Sequence, residues 1–176
     1  MGRYVDAKMA TALTGRNGQA LEDYKKRLLK LNNQVVAQAP EDLVINTHVC
    51  RGNYHSTFFS SGAYDSVADL LFGEENVNAY YLEYDDKRSG GFAPLAKVSG
   101  DKKVVLGLIT TKIPQLEDKG KVIARIHEAE KYVPLDRLYL SPQCGFASCE
   151  IGNKLTEEEQ WAKLKLVKEI AKEVWK

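Results

Sequence analysis

The feature that most constrains the fold is a regular alternation of short apolar segments with amphipathic helical patterns. Residues 43–50, 77–85, 103–111 and 137–141 are predicted strands, and a helical segment follows each of them. The strand-helix units recur at about 30-residue spacing, which is typical of βα units. Strands that alternate with helices form a parallel sheet covered by helices, so the predicted class is α/β.

The helical segments are read from apolar residues that recur at three- and four-residue steps. Pro40 ends the longest of them, and Thr156 with Glu159 three residues later forms a capping box before the last. The predicted helices span residues 7–13, 19–39, 64–72, 116–132 and 156–175, with a short helical connection at 95–98. We expect residues 1–40 to form an N-terminal loop and helix region and residues 41–176 to form four βα units, within a single domain.

Two parallel architectures remain open at this point, a doubly wound open sheet and a (β/α)₈ barrel. No G-x-G-x-x-G or Walker-type loop follows any predicted strand, so the nucleotide-binding versions of the open sheet lack their usual marker. Polar residues instead follow every strand at its carboxyl end, where barrels keep their chemistry. A barrel needs eight units, however, and this chain supplies four, so the sequence predicts part of a TIM barrel.

Composition excludes several classes of partner. Lysine and arginine number 25 against 24 acidic residues, a formal net charge of +1 that gives no reason to expect nucleic acid or an anionic membrane surface. No apolar run approaches the roughly 20 residues that a membrane span needs, and the first residues carry no basic-then-apolar signal pattern. We therefore expect a cytoplasmic protein, in which three cysteines are free thiols or metal ligands rather than disulfides.

A set of metal-type side chains stands at the strand ends. His48 and Cys50 lie two residues apart on the first strand and therefore point to the same side; Glu83 ends the second strand, and Cys144 follows the fourth. One imidazole, two thiolates and one carboxylate form a complete tetrahedral shell for Zn²⁺. The alternative is a packed histidine with two buried thiols. A sulfur-rich zinc site favours chemistry on a bound thiol over activation of water.

Other polar residues near the strand ends have less defined roles. Asp85 lies two residues beyond Glu83 on the same face and could replace it as ligand or bind substrate. Lys112 at the end of the third strand is a candidate catalytic or substrate-binding residue, or a solvated strand end. His55 is a candidate at the pocket mouth, although loop histidines are more often simply exposed. Cys149 is expected to take no part in the site.

Three segments resemble the zinc-ligand segments of cobalamin-independent methionine synthase. They are Thr47-His48-Val49-Cys50, Leu82-Glu83 and Ser141-Pro142-Gln143-Cys144-Gly145, and the segments 107–114 and 133–138 are similar too. The resemblance extends from about residue 37 to the C-terminus, and the loops after Cys50 and around Arg88 are closer to short single-domain relatives.

The resemblance implies the C-terminal half of a (β/α)₈ catalytic domain that acts as a zinc-dependent S-methyltransferase in methionine biosynthesis. Zinc would bind the sulfur of homocysteine, and the methyl group would come from N5 of methyltetrahydrofolate. The chain departs from the family where the histidine taken as general acid is replaced by Lys112. The family's acidic groups for the homocysteine amine, and most of its folate contacts, belong to the other half of the barrel.

The expected function is therefore methyl transfer to homocysteine, with little activity from this chain alone. Two alternatives remain open, a zinc-binding remnant without catalysis and a zinc thiol methyltransferase that uses another methyl donor. An open half barrel exposes two sheet edges and its inner face. We expect a homodimer, or a complementing N-terminal half, to cover them.

Overall fold

The computed structural model describes all residues 1–176 and contains one four-stranded sheet with five α-helices. The strands are β1 (Asn46–Val49), β2 (Ala79–Glu83), β3 (Lys103–Ile109) and β4 (Leu138–Pro142). The helices are α1 (Ala7–Thr14), α2 (Gly18–Val36), α3 (Ala68–Glu74), α4 (Lys119–Glu130) and α5 (Glu157–Val174). No helix combines the length and the apolar character that a membrane crossing needs.

The four strands run parallel in the order β1-β2-β3-β4, so every neighbour in the sheet is also the next strand in the chain. The register places one residue of each strand in a row across the sheet, namely His48, Tyr81, Val105 and Tyr139. Parallel strands of this order require a crossover after each strand, and helices supply it. The predicted α/β class with four strand-helix units is therefore present, as an open sheet.

Local signals in the sequence set most helix ends. Asp6 caps α1 by accepting a hydrogen bond from the Met9 amide at 3.0 Å. The predicted capping box is formed, since Thr156 accepts from the Glu159 amide and Glu159 accepts from the Thr156 amide. Helix α2 ends at Val36, three residues earlier than predicted, because residues 37–39 form turns before Pro40.

The two faces of the sheet differ sharply in burial. Tyr80, Leu82 and Leu106 point toward the helices and are at most 1% exposed. On the opposite face Tyr81 and Tyr139 are 40% and 41% exposed. This inner face lines an open groove of about 580 Å³ whose apolar members include Val44, Ala79, Tyr81, Val105 and Tyr139. The core thus lies between sheet and helices, and the surface that a closed barrel would bury is uncovered.

The prediction for the first strand was wrong in extent and in burial. The strand covers residues 46–49 rather than 43–50, and Leu43 and Val44 are 55% and 67% exposed. The reason is position, because β1 is an edge strand whose inner face has no layer against it. An apolar segment that a complete barrel would bury therefore remains exposed.

Gly107 allows the ends of three strands to approach one another. A Cβ atom at this position would lie 2.5 Å from the Leu82 carbonyl oxygen and 2.6 Å from Gln143 Cα, both backbone atoms. The register between β3 and β4 shifts at this point, between Gly107 and Ile109. Gly107 therefore brings the segment before Cys144 close to the end of β2, where Glu83 lies.

We predict that Gly107→Ala lowers the free energy of unfolding by roughly 1–3 kcal/mol, because backbone atoms must move to admit the methyl group. Gly73→Ala is the matched control, since nothing lies within 4 Å of a Cβ there and alanine is favoured over glycine in a helix. Urea unfolding monitored by circular dichroism measures both variants. Equal stability of the two variants would contradict this account of Gly107.

Candidate metal centre

The structure brings together four side chains from the carboxyl edge of the sheet. His48 lies on β1, and Cys50 directly follows that strand. Glu83 ends β2, and Cys144 follows β4. One ligand atom from each, a ring nitrogen, two sulfurs and a carboxylate oxygen, all lie within 4.8 Å of one another. These are the four residues that the sequence predicts as ligands, and three separate segments of the chain supply them.

Backbone groups orient the two β1 side chains. His48 Nδ1 lies 3.1 Å from the Tyr81 carbonyl oxygen, so this nitrogen carries the proton and Nε2 is left with a free lone pair. Nε2 lies 3.8 Å from Glu83 Oε1. The Gly52 amide donates to Cys50 Sγ at 3.3 Å, a contact that favours the thiolate. Both ligand atoms therefore lie in the group, although His48 and Cys50 are also exposed to solvent.

Glu83 is the fully buried member of the group. Its Oε1 accepts from the Arg51 amide at 2.9 Å, and its Oε2 accepts from Arg88 Nη2 at 3.0 Å. The Tyr64 hydroxyl accepts from the Glu83 amide at 2.9 Å and so fixes the backbone at the end of β2. Burial raises the pKa of the Glu83 carboxyl, while the Arg51 amide and Lys112 oppose that rise.

Two arginines that sequence reasoning missed hold this region. Arg51, 1% exposed, places its guanidinium 4.2 Å from the Tyr64 ring centroid and donates to the carbonyls of Gly62 and Arg88. The Arg88 side chain bridges Glu83 and Asp85, with Nη2 2.9 Å from Asp85 Oδ1. The sequence contains a local signal for each of these arginines. Arg88 follows two aspartates in a short turn, and Arg51 directly follows the candidate ligand Cys50.

A buried network of amides holds the turn that carries Cys144. Asn53 Nδ2 donates to the Gly145 carbonyl at 2.7 Å and to Ser148 Oγ at 2.9 Å. Asn153 Nδ2 donates to Asn53 Oδ1 at 2.9 Å and to the Thr111 carbonyl at 2.7 Å. The loop after β1 and the loop after β4 are thus fastened to each other and to the end of β3.

The donor set fits zinc. Nitrogen, sulfur and carboxylate ligands at about 2.0–2.3 Å from Zn²⁺ place neighbouring donors roughly 3.3–3.8 Å apart in a tetrahedron. The 3.8 Å between His48 Nε2 and Glu83 Oε1 is somewhat wider than the roughly 3.3 Å of a nitrogen–oxygen pair in such a tetrahedron. All four donors lie within 4.8 Å of one another, so the group would have to contract slightly around the ion. Sulfur-rich sites favour zinc over the hard cations Mg²⁺ and Ca²⁺.

The other predicted site residues lie outside the group of four. Asp85 contacts Arg88 and lies 4.0 Å from Lys112 Nζ, so it does not share the ligand position of Glu83. The Lys112 ammonium is buried without a hydrogen-bond partner, and desolvation lowers its pKa. His55 is bound away from the ligands, with Nδ1 3.3 Å from the Gly152 carbonyl oxygen. Cys149 is a partly buried free thiol outside the group.

The pKa values of the two candidate thiol ligands shift in opposite directions. The hydrogen bond between them lowers the pKa of Cys144 to about 6 and raises the pKa of Cys50 to about 11. The Gly145 amide further favours the Cys144 thiolate. The hydrogen bond to Cys50 also raises the pKa of His48. These opposite shifts favour Cys144 as the thiolate of the pair and Cys50 as the protonated thiol.

The chain is similar in sequence to a known protein family. Residues 21–173 match the protein-family model described as "Cobalamin-independent synthase, Catalytic domain". The "Uncharacterized protein YxjG" of Bacillus subtilis is 51% identical over 160 residues, which cover 90% of this chain and 42% of that protein. Methionine synthase of Pyrococcus abyssi is 27% identical over 101 residues, or 57% of this chain and 26% of that protein.

Among solved structures, the "Putative Vitamin-B12 Independent Methionine Synthase" of Listeria monocytogenes aligns with a TM-score of 0.70 and 38% identity. The alignment covers 97% of this chain and 47% of that one. The fold prediction is confirmed, because the four parallel strands with their helices correspond to half of the TIM barrel of such enzymes. The chain spans about two fifths of the length of the first curated relative.

We predict that iodoacetamide at pH 7 labels Cys144 faster than Cys50 in chelator-treated protein, because only the thiolate reacts. The Cys144 rate should fall as the pH drops through about 6, the pKa of this thiol. Cys50→Ala removes the proton donor and should move that midpoint upward. Peptide mass spectrometry quantifies the labelling, and equal rates for the two thiols at pH 7 would contradict the assignment.

Proposed function

This chain belongs to the cobalamin-independent methionine synthase family, and from that membership we propose that it carries the thiol-activating half of a zinc-dependent S-methyltransferase. The acceptor in this proposal is homocysteine, and the donor is methyltetrahydrofolate. The observation that supports it most directly is the gathering of His48, Cys50, Glu83 and Cys144 within 4.8 Å at the carboxyl edge of the sheet. That edge is where TIM-barrel enzymes hold their active sites.

Zinc held by these four residues would lower the pKa of a bound thiol, so that the substrate sulfur is a thiolate near neutral pH. The protein's part is to hold the donors in place. The Tyr81 carbonyl fixes the His48 tautomer, and the Gly52 amide supports the Cys50 sulfur. Hydrogen bonds of this kind around metal ligands commonly change affinity by about 10–100-fold when they are lost.

In the proposed reaction, the homocysteine sulfur attacks the methyl carbon of the folate, and a sulfur–carbon bond forms as the carbon–N5 bond breaks. The electron pair of that bond remains on N5, which then takes a proton. We assign the proton donor as Lys112, whose ammonium is buried near Glu83 and Asp85 and has no hydrogen-bond partner. Desolvation makes this ammonium a stronger acid than an exposed lysine, which favours proton donation.

A second candidate function is zinc binding without catalysis by this chain alone. The chain covers 42% of one curated relative and 39% of another, and a structural observation favours this candidate. The inner face of the sheet, which a complete barrel would close, is open. In this case another molecule would supply the half that binds the methyl donor. The metal site of this chain would bind zinc without catalysing methyl transfer.

The test is zinc content followed by methyl transfer. We predict one zinc per chain in the purified protein, loss of that zinc in Cys50→Ser and Cys144→Ser, and retention in Cys149→Ser. Serine is a poor ligand for zinc, and Cys149 lies outside the donor group. Elemental analysis gives the stoichiometry, and transfer of labelled methyl from methyltetrahydrofolate to homocysteine gives the activity, with methylcobalamin as an alternative donor.

The outcomes separate the candidates. Methyl transfer that follows the zinc through the variants supports the enzyme, and the donor that works identifies the methyl source. Stoichiometric zinc without transfer from either donor supports the zinc-binding alternative. Loss of zinc in Cys149→Ser with retention in Cys144→Ser would reject the ligand assignment.

We further propose that two copies of this chain close the barrel when no complementing half is present. A twofold axis parallel to the strands leaves strand direction unchanged, so β4 of one copy can pair in parallel with β1 of the other. The result has eight strands, the number that closes a TIM barrel. Both free edges and the exposed inner face would then be buried.

Light scattering should therefore give twice the 19.7 kDa chain mass. Tyr139→Lys should shift the protein toward monomer, because Tyr139 lies on the inner face and is 41% exposed. Trp161→Lys is the control, since Trp161 on α5 is 59% exposed but lies outside that face. A stable wild-type monomer at micromolar concentration would contradict the proposal.

A further inference from the structure

Gln143 is a buried amide next to the candidate metal ligands. The residue is 2% exposed and directly precedes Cys144 in the chain. Its backbone amide donates to the Ile109 carbonyl at 2.8 Å. Its Cβ lies 3.3 Å from the place where Gly107 would carry a Cβ atom, so the side chain begins directly over that glycine. These contacts fix Gln143 at the carboxyl edge of the sheet.

The two polar atoms of the Gln143 side chain are in different situations. Nε2 donates to Thr111 Oγ1 at 2.6 Å, and Asn153 Nδ2 in turn holds the Thr111 carbonyl at 2.7 Å. Oε1 is buried and accepts no hydrogen bond. Because Nε2 is engaged, the planar amide is held in one orientation and Oε1 points away from Thr111. A buried acceptor that is fixed and unpaired indicates that a donor from outside the chain completes it.

Gln143 also lines a cavity beside the candidate ligands. This cavity has a volume of about 290 Å³, and His48 and Cys144 are among the residues around it. Ser141, another of these residues, has its hydroxyl bound to the Pro142 carbonyl at 2.8 Å. Of all the residues that line the cavity, only Gln143 has a buried polar side-chain atom without a partner. The cavity thus combines two candidate metal ligands with one free acceptor.

We propose that Gln143 Oε1 binds the ammonium group of an amino-acid thiol and so selects the acceptor. This inference rests on the proposed function, in which the thiol is homocysteine. Besides its sulfur, homocysteine carries a carboxylate, which only accepts hydrogen bonds, and an ammonium, which only donates them. An unpaired carbonyl oxygen therefore pairs with the ammonium. Three carbons separate the ammonium from the sulfur, a span of about 5 Å at roughly 1.5 Å per bond, and Gln143 is the chain neighbour of Cys144.

The charges of the site agree with this assignment. Two thiolates and one carboxylate around a divalent ion carry a net charge of −1, and a substrate thiolate would add another negative charge. A cation next to that sulfur is favoured electrostatically, and more strongly in a partly buried site than in water. The hydrogen bond from an ammonium to a carbonyl oxygen is charge-assisted, and such bonds are stronger than those between neutral groups.

The test compares two thiols on the cobalt-loaded protein, since Co²⁺ in place of zinc gives thiolate-to-metal absorption bands. Homocysteine is titrated against 4-mercaptobutyrate, which is the same molecule without its amino group. We expect wild type to bind homocysteine roughly 10- to 100-fold more tightly, the effect of one hydrogen bond to a charged group. Gln143→Met should lose most of this preference, while its affinity for 4-mercaptobutyrate should change by less than about twofold.

Gln38→Met is the matched control. It removes the same amide from an exposed position in the turn after α2, so both thiols should bind as they do to wild type. Each variant should keep one Co²⁺ per chain, because Gln143 is not a member of the donor group. A general loss of packing at Gln143 would weaken both thiols together, whereas loss of the ammonium contact weakens homocysteine alone.

Each other outcome decides against the inference in a distinguishable way. If wild type binds the two thiols equally, or if Gln143→Met keeps the full preference, Oε1 pairs with water only, and the proposed function still stands. If Gln143→Met does not fold or hold cobalt, Gln143→Asn, which withdraws the amide by one methylene, decides alone. An unchanged preference in that variant overturns the inference. Failure of cobalt-loaded wild type to bind either thiol overturns both the inference and the proposed function.

Discussion

The parallel direction of all four strands is the constraint on which the candidate site depends. It places the carboxyl ends of β1, β2 and β4 at one edge, so that residues almost a hundred positions apart supply neighbouring donor atoms. Strand β3 contributes no ligand, yet it sets the spacing, because Gly107 lets the Leu82 carbonyl and the Gln143 backbone approach from either side. A side chain there would separate the segments that carry Glu83 and Cys144.

The same edge concentrates buried charge, and the surrounding structure compensates for it. Glu83 and Asp85 are carboxylates with almost no exposed side-chain surface, and Arg88 and Lys112 stand beside them as buried cations. In a medium less polarisable than water, each unpaired charge is costly, which favours an arrangement of alternating signs. Lys112 still lacks a hydrogen bond, as does Asp85 Oδ2 opposite it. Guanidinium nitrogens of Arg51 and Arg88 also lack hydrogen-bond partners, so several buried polar atoms of the site are unsatisfied.

The sequence predicts which four side chains meet at the carboxyl edge, because each stands at a recognisable strand end and has a side chain with specific metal chemistry. Their role as metal ligands stays a prediction. It predicts the class of fold for a similar reason, since apolar periodicity reports which faces are buried. It fails for Arg51 and Arg88, because a loop arginine normally points to solvent and nothing local shows that Tyr64 and Phe58 cover these two. It also fails for Leu43 and Val44, whose apolar character indicates burial that an open four-stranded sheet does not provide.

The exposure of Leu43 and Val44 shows that the donor group and the open groove must be considered separately. The donor group is held by contacts within these 176 residues, namely the Asn53–Asn153 network, the Tyr81 carbonyl and the Arg51 amide. Although Tyr81 lies on the uncovered inner face, its contact with His48 uses the backbone carbonyl, so none of these contacts needs a further layer over that face. Under the proposed function, metal and thiol binding would depend on the local order of two loops, whereas a pocket for a large methyl donor would depend on what closes the groove beside Tyr81 and Tyr139. The first property can persist in this chain without the second, because the contacts that hold the donor group do not require the groove to be closed.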